Sequence, residues 1–113
     1  MSLFDSARPN PAGFREVTAA EVPVPAQGFR VIDVREPAEL LSGRIPGASS
    51  VPLASVTAQA VNWNKDEVLL MVCQGGARSA RAAQALLQLG FPRVMNLVGG
   101  MNGWAQAGKP VEK

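Results

Sequence analysis

The sequence predicts a single α/β domain with a central parallel sheet of about five strands and helices on both faces. Short runs rich in Val, Ile and Leu alternate with helical segments along the 113 residues. The connections between them are only a few residues long, as in chains that alternate strands and helices. One run is apolar on both faces, which is typical of a central parallel strand. A chain of this length forms one domain rather than two.

The organisation along the chain is simple. Residues 1–13 contain several turn-forming residues and no periodicity, so we expect an N-terminal arm followed by one domain at 14–113. Thr18 and Glu21 have capping-box spacing and predict one turn of helix, which Pro23 ends.

The sequence of the first half of the domain predicts two strands and two helices. The β-branched run at 29–34 predicts a buried strand. A short helix is expected at 36–41, ended by Gly43. A short strand at 48–51 and a helix of small side chains at 53–60 follow.

The second half contains the clearest signals. Residues 67–73 form the strongest predicted strand, and 78–89 form the best helix, with Gly90 just past its end. A strand is expected at 93–98 and a short helix at 101–106.

Composition excludes several kinds of chemistry. The chain has no histidine and one cysteine, Cys73. Catalytic triads, Cys-His hydrolases, His-ligated metals and an intrachain disulfide are therefore excluded, and we expect no metal and no cofactor. The net charge is only +2, the eleven Lys and Arg are scattered, and aromatic residues are few, which does not indicate a nucleic-acid binder.

The sequence also indicates where the protein acts. The N-terminus lacks the basic and apolar regions of a signal peptide, and no apolar run is long enough to cross a membrane. An unpaired cysteine fits a reducing compartment. We expect a cytoplasmic protein that does not bind membranes.

One segment combines the features that carry chemistry. Cys73 ends an apolar strand, a glycine pair follows it, and a long helix begins soon after. Ligands of open α/β sheets bind at the carboxyl ends of strands, and a glycine-rich loop at a helix start presents amides to anions. A sulfur placed there ionises readily. The candidate nucleophile is Cys73, and the candidate anion-binding residues are Gln74, Gly75, Gly76, Ala77, Arg78 and Ser79.

This segment resembles the active-site loop Cys-x-x-Gly-x-Arg-Ser of rhodanese-like sulfurtransferases. Residues 32–39 and 43–48 resemble the first signature of that family, and 97–100 resemble its closing signature. The match spans about residues 15–111. Arg44 departs from the pattern, because the family often has His before Ile-Pro-Gly-Ala; Arg44 would add positive charge if it reached the pocket.

The resemblance implies a single rhodanese domain that transfers sulfane sulfur through a Cys73 persulfide. The implied donor is thiosulfate or another persulfide, and the implied acceptor is cyanide, a thiol or a protein cysteine. Arg78 either binds the anionic donor or forms a structural ion pair. Asp33 and Arg35 are expected to fix loops, and we expect Ser79 to cap the helix rather than take part in chemistry.

Two alternatives remain open at this point. Dual-specificity phosphatases place a cysteine and an arginine similarly, but their loop is one residue longer than the four residues between Cys73 and Arg78. A shorter loop suits a sulfur atom better than a tetrahedral phosphate. The other alternative is a non-enzymatic module that carries sulfur or binds a protein.

Overall fold

The protein folds around a mixed, mostly parallel six-stranded sheet. The computed structural model describes residues 2–113. The strands are β1 (Arg8–Pro9), β2 (Arg15–Val17), β3 (Arg30–Asp33), β4 (Ser49–Ser50), β5 (Leu69–Val72) and β6 (Val94–Leu97). Their order across the sheet is β1-β2-β6-β5-β3-β4. Only β1 runs antiparallel to its neighbour. The α/β fold class is therefore confirmed, with one antiparallel edge strand that was not expected.

Helices cover the sheet. The α-helices are α1 (Leu3–Ser6), α2 (Val56–Ala60), α3 (Ala77–Gln88) and α4 (Gly100–Gln106). Three short 3-10 helices lie at Ala19–Glu21, Pro37–Ser42 and Leu53–Ser55. The second of these takes the place of the helix expected at 36–41, and Gly43 ends it with φ 115° as expected.

The core has two layers because strand side chains alternate between the faces of the sheet. Ile32, Met71 and Leu86 belong to one apolar cluster, on the face that α3 covers. Leu70, Met95 and Trp104 belong to the other, which includes α4. All four residues of β5 are buried, so the central strand is covered on both faces.

Residues 3–9 adopt regular structure although their sequence has no periodicity. Ser2 Oγ accepts a hydrogen bond from the Asp5 amide at 3.1 Å and caps α1. Arg15 donates to the Phe4 carbonyl oxygen at 2.7 Å, and its guanidinium stacks on the Phe4 ring. These contacts bring the N-terminal segment against β2, where β1 pairs with it. The proposed boundary between an arm at 1–13 and a domain at 14–113 stays a prediction.

The ends of three parallel strands define one edge of the sheet. Asp33 is the last residue of β3, Cys73 follows β5 directly, and Asn96 lies near the end of β6, opposite Met71. The carboxyl ends of β3, β5 and β6 therefore meet where the glycine-rich loop begins.

Candidate active site

The Cys73 side chain lies beneath the loop that the sequence singled out. Its sulfur accepts a hydrogen bond from the Gly76 amide at 3.0 Å. The amides of Gly75 and Ser79 also lower the pKa of its thiol. Gly76 has φ 105° and is the N-cap of α3, so a residue with a side chain would be strained at this turn. The Gly76 amide thus points inward, at the sulfur.

The loop carbonyls point the other way and are held by α4. The Met101 amide donates to the Cys73 carbonyl oxygen at 2.9 Å, and the Asn102 amide donates to the Gln74 carbonyl oxygen at 3.0 Å. Gly100 lies against these two carbonyls so closely that a Cβ there would collide with both oxygens. The second glycine pair of the sequence therefore fixes the shape of the first loop.

These contacts determine the acidity of the thiol. Cys73 is only 1% exposed, and burial raises its pKa because it penalises the thiolate. The Ser79 hydroxyl and the amides of Ser79, Gly76 and Gly75 together lower the pKa by more, because their dipoles favour the charged sulfur. The net effect is a pKa below the ordinary value of a cysteine.

Ser79 does not cap α3, so that expectation was wrong. The helix begins at Ala77 after Gly76, which places Ser79 inside the first turn, fully buried. Its hydroxyl lies 3.2 Å from the Cys73 sulfur and 2.5 Å from Asn96 Oδ1. The cap is a glycine because the turn needs a positive φ more than it needs a side-chain acceptor.

Sequence reasoning missed Asn96. It is 4% exposed, and its side-chain amide donates to the Gly76 carbonyl oxygen at 3.2 Å. The available signal was a single amide side chain in the apolar strand β6, since a buried polar group needs partners.

Arg78 is held in an ion pair. Its guanidinium donates to both carboxylate oxygens of Glu39 at 2.7 and 2.8 Å, and each side chain is about one-third exposed. Hydrogen bonding to Arg78 lowers the pKa of Glu39 to about 2. The same pair raises the pKa of Arg78, and the nearby Cys73 thiolate adds to that effect. Glu39 was not predicted as a partner.

Asp33 and Arg35 form a buried ion pair below the loop. Arg35 Nη2 lies 2.8 Å from an Asp33 carboxylate oxygen, and both residues are fully buried. Arg35 also donates to the carbonyl oxygens of Glu39 and Gly43 and to the Gln74 side-chain oxygen. One guanidinium therefore joins the segment after β3 to the first residue of the loop.

The remaining loop residues form its outer wall. The Gln74 side chain bridges Arg35 and Asn102, donating to Asn102 Oδ1 at 2.7 Å. It borders a cavity of about 330 Å³ that also reaches Arg35 and Lys109. Gly75 and Ala77 are exposed to solvent. Arg44 pairs with Glu112 at 3.6 Å instead of lining this cavity.

No group of three Cys, Asp or Glu side chains within residues 2–113 could hold a metal ion. Over the same part of the chain, no helix has the length and apolar character needed to cross a membrane.

The geometry therefore presents one cysteine sulfur to two inward-facing donors, the Gly76 amide and the Ser79 hydroxyl. Such a site stabilises a thiolate. It provides no histidine or carboxylate in contact with the sulfur, so it suits a reaction between sulfur atoms that needs little proton movement.

Comparison with proteins of known sequence agrees with this geometry. A sulfurtransferase of Allochromatium vinosum is 38% identical over 81 residues, which cover 72% of this chain and 76% of that protein. Thiosulfate sulfurtransferase 16, chloroplastic, of Arabidopsis thaliana is 34% identical over 97 residues, which cover 75% of this chain and 81% of that protein.

Comparison with solved structures gives the same family. The crystal structure of a rhodanese-related protein from Thermoplasma volcanium superposes with a TM-score of 0.79 at 32% identity, covering 88% of this chain and 98% of that one. The family model of the rhodanese-like domain matches residues 18–107. With its fold, its Cys73 loop and these matches, the chain belongs to the rhodanese-like sulfurtransferase family.

Proposed function

We propose that the protein is a thiosulfate sulfurtransferase that carries sulfane sulfur on Cys73. The observation that carries the proposal is the set of inward-facing donors at the sulfur: the Gly76 amide at 3.0 Å and the Ser79 hydroxyl at 3.2 Å. Such donors favour a negatively charged sulfur, whether thiolate or persulfide. The thiosulfate sulfurtransferase of Arabidopsis thaliana supports the choice of donor.

The reaction proceeds in two covalent steps. The Cys73 thiolate attacks the outer sulfur of thiosulfate, the sulfur–sulfur bond breaks, and sulfite leaves with the bonding electron pair. Cys73 is then a persulfide. An acceptor such as cyanide or a thiolate attacks the outer persulfide sulfur, forms a new bond to it, and releases the Cys73 thiolate. No net proton transfer is needed when the acceptor is an anion.

The loop residues have distinct roles in this scheme. The amides from Gln74 to Ser79 hold the terminal persulfide sulfur. The positive charge of Arg78 favours an anionic donor, although Glu39 already neutralises part of it. Asp33 and Arg35 support the loop from below through Gln74. A free thiol of this kind operates in a reducing compartment such as the cytoplasm.

The acceptor in the cell is a small thiol or a cysteine of another protein. Gly75 and Ala77 are exposed, so the loop is open to either kind of acceptor. A protein acceptor would make this chain a sulfur carrier that uses the same persulfide.

Mass spectrometry of the intact protein after treatment with thiosulfate tests the proposal. We expect the mass to rise by one sulfur atom, the added sulfur to be lost on treatment with cyanide, and Cys73→Ser to show no change. A protein that stays unmodified while folded would exclude sulfur transfer from thiosulfate. Hydrolysis of an aryl phosphate at a rate comparable to sulfur transfer would favour the phosphatase alternative instead.

A further inference from the structure

The hydroxyl of Ser79 has more acceptors than protons. It lies 3.2 Å from the Cys73 sulfur, 2.5 Å from Asn96 Oδ1 and 3.3 Å from the Gly76 carbonyl oxygen. A serine hydroxyl donates one hydrogen bond at a time. The hydroxyl can therefore donate to only one of the three acceptors at a time. Asn96 Oδ1 is the acceptor at the shortest distance from Ser79 Oγ.

The orientation of the Asn96 amide is fixed. Its nitrogen donates to the Gly76 carbonyl oxygen at 3.2 Å, and turning the amide over would place two acceptor oxygens face to face. Oδ1 is therefore the atom that faces Ser79. Asn96 is buried, so water does not replace a partner that Oδ1 loses.

We propose that Asn96 is a positioning residue that competes with the Cys73 sulfur for the Ser79 proton. While Cys73 is a thiol, its S–H donates to Ser79 Oγ and the Ser79 hydroxyl donates to Asn96. When the sulfur becomes negative, the hydroxyl turns to the sulfur and Asn96 Oδ1 loses its donor. An unpaired buried acceptor is unfavourable. Asn96 therefore reduces the stability that the loop gives to the thiolate and to the persulfide anion.

This competition has a use in sulfur transfer. A persulfide that is stabilised too strongly gives its outer sulfur up slowly, and a thiol that ionises too reluctantly is loaded slowly. Asn96 moderates the stabilisation by one hydrogen bond. The inference rests on the proposed function for this purpose, but the competition itself concerns the free thiol.

Few other charges act on the sulfur. Arg78 of α3 interacts with the charged sulfur and is paired with Glu39. Asp33, the last residue of β3, is paired with Arg35. β6 and α4 contain no ionisable side chain. Substitution of Asn96 therefore changes hydrogen bonding at the site and leaves its charges as they are.

A double-mutant cycle on the alkylation of Cys73 tests the proposal. The rate of reaction with iodoacetamide, measured against pH without any sulfur donor, gives the pKa of the only cysteine. Asn96→Leu removes the competing acceptor at similar volume, so we expect the pKa of Cys73 to fall by about one unit. In the Ser79→Ala background, the same substitution should leave the pKa unchanged.

Met95→Leu provides the matched control. Met95 is buried, adjacent to Asn96 and on the opposite face of the sheet, so it tests general disturbance of β6. We expect it to leave the pKa unchanged. An Asn96→Leu variant with an unchanged or raised pKa would overturn the proposal, and so would an equal shift with and without the Ser79 hydroxyl.

A second measurement uses the wild-type protein and needs no variant. The side-chain amide resonances of Asn96 should shift with pH at the same midpoint as Cys73 ionises, because its oxygen loses a donor at that point. Resonances that do not move through the ionisation of Cys73 would contradict the competition. Neither experiment depends on thiosulfate, so a failed sulfur transfer leaves both results interpretable.

Discussion

At the scale of single residues, the site depends on which charges are already paired. Glu39 holds Arg78 through two short hydrogen bonds and also accepts from the Glu36 amide at 2.9 Å. The carboxylate therefore joins the 3-10 helix after β3 to the first turn of α3. Its pKa falls from 4.5 to about 2 because of Arg78 first and the Glu36 amide second.

The Glu39→Gln variant isolates the charge of this residue, because a glutamine oxygen can still accept from the Glu36 amide. A carboxylate whose pKa is lowered in the folded state stabilises that state above its unfolded pKa, and the stabilisation is lost as the pH falls towards 2. We expect the variant to unfold about 1 kcal/mol more easily at pH 7, allowing for solvent screening of a partly exposed pair.

Urea unfolding at pH 7 and near pH 2 checks the Glu39 prediction. The difference between wild type and variant should shrink at the lower pH. Glu36→Gln is the control, because Glu36 forms no ion pair within residues 2–113. A difference that is the same at both pH values would show that the charge of Glu39 is not responsible.

At the scale of elements, the first turn of α4 sets the shape of the loop that follows Cys73. The amides of Met101 and Asn102 hold the carbonyls of Cys73 and Gln74, which leaves the loop amides free to face the sulfur. Gly100, with φ 53°, permits this approach. The two glycine turns of the sequence therefore work as one unit.

Gly100→Ala tests this coupling. The new Cβ would collide with the Cys73 and Gln74 carbonyl oxygens, so the loop must shift and its amides must turn from the sulfur. We expect persulfide formation to slow by at least about tenfold and stability to fall by about 1–3 kcal/mol. Single-turnover loading with thiosulfate and thermal unfolding measure the two effects.

Gly28→Ala is the matched control for Gly100→Ala. Gly28 also has a positive φ, 81°, but a Cβ there meets nothing within 4 Å. The Gly28→Ala variant should have the same kind of backbone strain as Gly100→Ala, but the rate at which thiosulfate loads Cys73 with sulfur should not change. Equal loading by the two variants would mean that the contact between α4 and the loop does not shape the site.

The elements differ in how far sequence alone predicts them. β5 and α3 were predicted well because their signals are local. A run that is apolar on both faces predicts β5, and a glycine just past the end of the helix predicts α3. β1 and α1 were not, because they depend on Arg15 and on pairing at the sheet edge.

The loop residues were identified by the order of Cys, Gly-Gly and Arg, whereas Asn96 and Glu39 act through contacts distant in sequence. Ser79 was misassigned because the cap position depends on the backbone of Gly76.

At the scale of the whole molecule, the site rests on a buried ion pair that links several segments. Arg35 joins Asp33 at the end of β3 to Gly43, Glu39 and Gln74. A buried carboxyl group without its partner is costly, so removal of Arg35 leaves the buried Asp33 side chain without its ion pair.

Arg35→Met should therefore lower the free energy of unfolding by about 3–5 kcal/mol. Arg30→Met is the control, because Arg30 pairs with Glu67 where both side chains are about one-third exposed. The control substitution should lower the free energy of unfolding by at most about 1 kcal/mol. Denaturant unfolding compares the two variants, and equal losses would show that the Asp33–Arg35 pair has no special role in stability.

The pH dependence of Cys73 alkylation in the wild-type protein shows directly whether the site favours a negatively charged sulfur. The inward-facing donors predict that the thiol ionises below the ordinary cysteine pKa of about 8.5. Ser79→Ala should move the midpoint upward, because the thiolate loses its hydroxyl donor. A wild-type midpoint at or above the ordinary value would show that burial outweighs the donors, and the site would not favour charged sulfur.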